Sequence, residues 1–280
     1  MSGVPAALRQ AADMLAPTSD TARLDAEYLL AHALHMSRSD LLLKGASGPV
    51  PERFWHLIDR RRQHEPLAYI LGSQDFYGRS FHVSPDVLIP RSDSESVVAA
   101  ALEQPGARGR VLDCGVGSGA LLLTILAENP GALGVGIDRS EAALAIARRN
   151  AGALGVADRV ELLRRDWSEN GWREELGRFD CIIANPPYVE DDAELDVSVR
   201  GYEPAGALFS GPDGLDDYRR LLPELRHLLA PQGQVVLEIG AMQAKPVAAL
   251  AGQAGFSSQL RHDLASRPRA LVLVVESFAP

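Results

Sequence analysis

Cysteine is almost missing from this chain, which has two in 280 residues, Cys114 and Cys181. Each lies in an apolar strand-like run and neither has a partner at metal-ligand spacing, so a disulfide scaffold and a metal site find no support and buried, reduced thiols are expected. No apolar run approaches the roughly 18 residues of a membrane span, and no charged-then-apolar leader opens the chain. The expectation is a cytoplasmic protein with no membrane association. Positive charge is also short: Lys and Arg number 28 against 37 Asp and Glu, for a net charge of −9 and a pI near 5.3. Proteins that grip phosphate backbones cluster Lys and Arg, so no direct nucleic-acid binding is expected. The one tight basic cluster, Arg60-Arg61-Arg62 with His56 and His64 nearby, reads as a solvated helix face. Repeats and low-complexity tracts are absent. Hydrophobic residues at 46% and charged residues at 23% suit an ordinary globular protein, long enough for a medium α/β domain with a smaller companion.

The chain divides by pattern. Residues 5 to 71 space apolar residues at three and four in "VPAALRQAADML", "TARLDAEYLLAHALH", "RSDLLLK" and "PERFWHLIDRRRQHE", which predicts a small helical domain over 1–72. "QDFYGRSFHV" and "DVLIPRSDSE" follow, with aromatic and β-branched residues around Tyr77-Gly78-Arg79, so a β-hairpin connector is expected over 73–90. From Arg110 strands alternate with amphipathic helices, through "RVLDCG", "ALGVGID", "RVELLRRD", "FDCIIANPP" and "GQVVLEIG", and the chain closes on two more strand candidates. That alternation predicts an α/β fold over 91–280, a mostly parallel sheet covered on both faces, with an antiparallel C-terminal edge.

"VLDCGVGSGA" is a strand, an acid and then glycines that open a helix. Gly115, Gly117 and Gly119 allow a sharp turn and close approach of a ligand, and Val116 and Ser118 lie in the same loop. Asp138 ends the next strand about 20 residues on, where a carboxylate accepts from both hydroxyls of a ribose. NAD and S-adenosylmethionine both satisfy this pattern. Three details favour S-adenosylmethionine: the G-x-G-x-G spacing, Asp113 before the first glycine, and Asp166-Trp167 ending the third strand, an acid for the adenine amino group and an indole for the ring.

A fourth strand, "FDCIIA", runs into Asn185-Pro186-Pro187-Tyr188. Two consecutive prolines end a strand and leave main-chain acceptors unpaired at the carboxyl end of the sheet, where α/β proteins bind ligands. An amide or aromatic amine is a poor nucleophile because its lone pair is delocalised. It reacts best with both N–H groups held by acceptors, here the Asn185 side-chain oxygen and the Pro186 carbonyl, while Tyr188 packs on its flat face. A planar –NH2 of an amide or of a nucleic-acid base fits equally; the acidic balance speaks against nucleic acid.

The chain resembles the HemK/PrmC family of protein-(glutamine-N5) methyltransferases along nearly its whole length. The resemblance rests on "PLAYILGSQDFYGRSFHV", "VLIPR", "DCGVGSGA", "GIDRS", "RRDW", "FDCIIANPPY", "GYEPAGALFSGPDGLDDYRRLL" and "LEIGAMQ". It implies a Rossmann-like S-adenosylmethionine-dependent methyltransferase domain behind a helical domain that docks class I peptide chain release factors. It further implies that Gly115 to Gly119, Asp138, Trp167 and Asn185 contact the cofactor and that Asn185 to Tyr188 hold the glutamine of the Gly-Gly-Gln loop. A monomer is expected. After "IPR" the family usually reads Pro-Glu-Thr-Glu; Ser92-Asp93-Ser94-Glu95 stands here, and a serine after that arginine resembles the sister enzymes of ribosomal protein L3.

Overall fold

The computed structural model describes residues 3–45 and 49–275. The chain forms two compact units, Met1–Ser73 with Leu195–Tyr202, and Gln74–Glu194 with Glu203–Pro280.

The first unit is helical, built from Val4–Leu15, Ala22–Ala33, Arg38–Lys44, Glu52–Arg62 and Leu67–Leu71. Apolar positions at helical spacing converge on a core that includes Leu8, Leu15, Leu29, Leu30, Phe54 and Ile58. Arg61 reaches the buried Asp25 at 2.7 Å, while Arg60 pairs with Glu65 and Arg62 with Asp59. The basic cluster is therefore spent on local carboxylates. A short helix far along the chain, Val197–Tyr202, belongs to this unit, and the Tyr202 hydroxyl donates to the Gln63 carbonyl at 2.7 Å.

In the chain order of strands, β1 (Ser73–Phe76) and β2 (Arg79–His82) make a hairpin; β3 (Arg110–Cys114), β4 (Leu133–Asp138), β5 (Val160–Arg164), β6 (Phe179–Ala184), β7 (Leu229–Glu238), β8 (Phe256–His262) and β9 (Pro268–Val275) make one sheet. Tyr77 and Gly78 at the hairpin turn both have positive φ, 50° and 70°, the geometry whose twist matches two paired strands. The sheet order is β5-β4-β3-β6-β7-β9-β8, parallel from β5 to β7 and antiparallel at β9 and β8. Near-continuous apolar runs in β3, β4 and β6 reflect burial on both faces. One face packs against Val97, Leu122, Ile125 and Leu144 together with Phe76 and Phe81 of the hairpin; the other packs against Tyr218, Leu221, Leu225 and Val247. Both cysteines are free and buried inside strands. Among the described residues no helix is long and apolar enough to cross a membrane.

Candidate active site

Strand order reverses at β3, whose neighbours are β4 on one side and β6 on the other. That switch point opens a crevice at the carboxyl ends of the strands. Cys114 of β3 lies opposite Ala184 of β6, so the next residues, Gly115 and Asn185, leave the sheet side by side. The glycine loop and the proline exit are thus neighbours because of strand register, although 70 residues separate them.

The loop itself is held by the sheet. The N–H groups of Gly115 and Val116 both donate to the Ile137 carbonyl at 2.9 Å, and Gly117 N–H donates to Asp138 Oδ2 at 3.0 Å. Gly115 and Gly117 sit at φ 88° and 51°, a region a side chain resists. A Cβ on Gly115 would stand 3.0 Å from the Trp167 ring, so the indole lies directly against the loop. Asp138 uses Oδ1 on the Ser140 N–H, at 2.9 Å. A carboxylate has about four acceptor positions, so each oxygen retains one for a ligand hydroxyl.

These groups line a cavity of about 230 Å³, joined by Asp113, Ser118, Asp166, Asn185 and Pro187. Gly119, Pro186 and Tyr188 are not among its lining residues. Gly119 serves instead to start the helix Ala120–Glu128, its Cβ position being filled by Leu123. Pro186 is buried, and Tyr188 turns into an adjacent cavity with Glu238 and Arg269. Burial and Glu238 push its hydroxyl up to about 12, which keeps it a neutral phenol.

Asp113 is 1% exposed and its Oδ1 has no hydrogen-bond partner. Burial, with the nearby Asp138 charge, pushes this carboxyl up to about 8. A carboxylate and an unsatisfied acid that a neighbouring cation would ionise, both at one cavity, suit a ligand that brings positive charge and hydroxyl donors. The donor set accordingly fits S-adenosylmethionine, with its sulfonium, amino group and ribose.

Two positioning residues escape sequence reasoning. Trp167 donates its indole N–H to Asp217 at 2.7 Å, and Asp217, 8% exposed, also accepts from the Ser210 hydroxyl at 2.7 Å. Asn150, 1% exposed, accepts from His82 N–H at 2.7 Å and donates to the carbonyls of His82 (3.0 Å) and Ser118 (2.8 Å), joining the hairpin to the glycine loop. Asp166 lines the cavity and accepts from Ser168 N–H at 2.8 Å.

The proline exit is clamped from outside the sheet. Tyr188 and Val189 N–H donate to the Leu208 carbonyl at 3.1 and 2.8 Å, Ser210 N–H donates to Val189 at 2.8 Å, and the Gln243 carboxamide donates to the Tyr188 carbonyl at 3.0 Å. A Cβ on Gly214, at φ 67°, would lie 2.4 Å from that same carbonyl. The segment 207–214 is therefore shaped to receive the exit strand.

Comparison with known proteins agrees with this architecture. Residues 6–72 match the PrmC N-terminal domain and residues 93–205 the Methyltransferase small domain. A release factor glutamine methyltransferase of Cereibacter sphaeroides is 42% identical over 90% of this chain and 90% of its own, and one of Moorella thermoacetica is 42% identical over 89% and 90%. The chain belongs to the release factor glutamine methyltransferases. A methyltransferase of Pyrococcus furiosus shares the fold, with a TM-score of 0.53 at 19% identity over 70% of this chain and 89% of that one.

The Ser92–Glu95 stretch ties three parts of the fold together. Asp93 binds Arg269 at 2.8 Å and Arg267 at 3.1 Å, and Glu95 accepts from Tyr77 N–H at the hairpin turn at 2.8 Å. Arg91 lines the cavity and pairs with the buried Glu203, which also accepts from Ile89 N–H at 3.1 Å. Glu203 of the "GYEP" run thereby fixes the "LIPR" segment.

Proposed function

We propose that this enzyme transfers a methyl group from S-adenosylmethionine to the side-chain amide nitrogen, N5, of the glutamine in the Gly-Gly-Gln loop of class I peptide chain release factors. The observation that carries the reading is the register placing Asn185 beside Gly115 at the switch point, on a chain 42% identical to a release factor glutamine methyltransferase over 90% of its length. The relatives are named for release factors, so ribosomal protein L3 is not favoured, and the paired Arg60, Arg61 and Arg62 leave little for a polyanion.

In this reading Asp138 takes the ribose hydroxyls, Trp167 and Asp166 the adenine, Asp113 the positive end of the cofactor, and the loop Gly115 to Gly119 the chain between. When bound, S-adenosylmethionine supplies an electrophilic methyl group. The Asn185 oxygen accepts one N–H of the substrate amide and the Pro186 carbonyl the other, which aims the nitrogen and stabilises the positive charge it gains, contributions worth several kcal/mol together. Tyr188, held as a neutral phenol, packs beside the amide. The alkylated nitrogen is acidic and loses its proton to water. The helical unit, matched by the PrmC N-terminal domain, carries exposed Tyr28, Leu42 and Leu43 and serves as the docking surface for the release factor. The compartment this function requires is the cytoplasm, where translation terminates.

Tandem mass spectrometry of a class I release factor, incubated with the enzyme and isotopically labelled S-adenosylmethionine, tests the reading. One labelled methyl on the Gly-Gly-Gln glutamine is expected; a release factor without it, or label on L3 instead, overturns it.

A further inference from the structure

A second cavity, of about 500 Å³, adjoins the first and shares Pro90 and Arg91 with it. Its polar lining has spare hydrogen-bonding capacity. Glu238 is 1% exposed, and its Oε2 has no partner. Glu238 Oε1 lies 3.5 Å from the Tyr188 hydroxyl and 3.9 Å from Arg269, both at or beyond the outer limit of a hydrogen bond. Arg269, 8% exposed, gives one nitrogen to Asp93 at 2.8 Å and stands 3.5 Å from the Tyr188 hydroxyl, while its Nε has no partner. A carboxylate and a guanidinium buried with unused positions cost stability, and such a cost persists where a ligand later satisfies them. Burial, against the opposing pull of the Ser94 hydroxyl and Arg269, pushes Glu238 up to about 7.

The charges identify the ligand class. Glu238 and Asp93 face Arg91 and Arg269, two against two, and Arg91 is also paired with Glu203. A charged ligand gains little from a balanced lining. A neutral group with one donor and one acceptor satisfies both unused positions, and a peptide unit is such a group. The remaining walls carry no charge: Gln74 and Ser92 are neutral polar groups, and Ile89, Pro90 and Tyr188 supply apolar surface. Since Tyr188 belongs to the proline exit, a polypeptide whose glutamine reaches Asn185 has its neighbouring main chain at this cavity.

We propose that the second cavity binds the main chain of the substrate beside the methylated glutamine, with a peptide N–H donating to the Glu238 carboxylate and a peptide carbonyl accepting from the Arg269 guanidinium. Glu238 and Arg269 are then substrate-binding residues, and because they read backbone alone they grip glycine as firmly as any residue. The inference rests on the proposed methylation of a protein glutamine.

Glu238→Gln keeps shape and removes the charged acceptor. Steady-state methylation of the intact release factor should show KM raised about tenfold, kcat within twofold, and the S-adenosylmethionine Kd unchanged by calorimetry. In parallel, Gly-Gly-Gln peptides carrying a single backbone N-methyl group at the glutamine or at either neighbour remove one N–H at a time. One position should raise KM about tenfold in the wild type and cost nothing further in Glu238→Gln. A KM unmoved by the substitution, or a kcat loss at constant KM, which would make Glu238 only a support for Tyr188, overturns the inference. Should Glu238→Gln fail to fold, the wild-type peptide series decides alone: no position with a penalty overturns it. Wild-type enzyme that methylates neither release factor nor peptide overturns the functional reading beneath it instead.

Discussion

Asp113 offers a prediction that runs against the usual expectation for a site residue, because replacing it should stabilise the cofactor-free enzyme. The carboxyl is buried beside Asp138 with one oxygen unpaired, and its pKa stands at about 8. A carboxyl whose pKa is raised by folding binds its proton more tightly in the native state than in the unfolded chain. Stability from this group is therefore full below the unfolded pKa near 4, falls as pH rises, and levels off above pH 8. The slope is about 1.4 kcal/mol per pH unit, or roughly 4 kcal/mol between pH 5 and pH 8. Water and dipoles relax around a new buried charge, so we take half, about 2 kcal/mol. Asp113→Asn mimics the protonated acid at every pH. The variant should match the wild type at pH 5 and melt roughly 4–8 °C higher at pH 8, at about 2–4 °C per kcal/mol for a domain of this size. Thermal unfolding without S-adenosylmethionine at a series of pH values measures the difference, and taking variant against wild type cancels every other titrating group. A melting difference constant from pH 5 to pH 8 refutes the reasoning. With cofactor present the order should reverse, since the variant lacks the anion that faces its positive end.

Asn185→Ala should lower kcat about a hundredfold with the S-adenosylmethionine Kd within twofold, whereas Asp138→Ala should weaken that Kd at least tenfold; calorimetry and single-turnover kinetics separate the two. Asp217→Ala frees the Trp167 indole N–H, which should shift the tryptophan emission and weaken cofactor binding several-fold while the fold melts cooperatively. Gly214→Ala places a methyl group 2.4 Å from the Tyr188 carbonyl at φ 67°, so it should cost roughly 2 kcal/mol of stability and lower kcat, as read by urea unfolding and the methylation assay.

The sheet and its ligand end were legible because their signals are local. A buried strand followed by Gly115-x-Gly117-x-Gly119, with Asp138 at the end of the next strand, states its geometry in sequence. The antiparallel edge was readable from the two closing strand runs, and β8 and β9 pair in that way. What was not legible arises from contacts between distant residues. Asp217 holds Trp167 across 50 positions, and Asn150 joins His82 to Ser118 across 68 and 32. The helix Val197–Tyr202 is six residues with none buried, so no apolar spacing announces it or its membership in the helical unit. That Tyr188 lines a cavity with Glu238 and Arg269 depends on β7 and β9, which a tetrapeptide cannot encode.

Methyl transfer in this enzyme depends on two acceptors meeting one amide. A crystal structure of the enzyme with S-adenosylhomocysteine and a Gly-Gly-Gln peptide measures this directly. The glutamine nitrogen should lie within about 3.2 Å of both the Asn185 side-chain oxygen and the Pro186 carbonyl. A glutamine bound elsewhere, or a nitrogen touching neither oxygen, contradicts it.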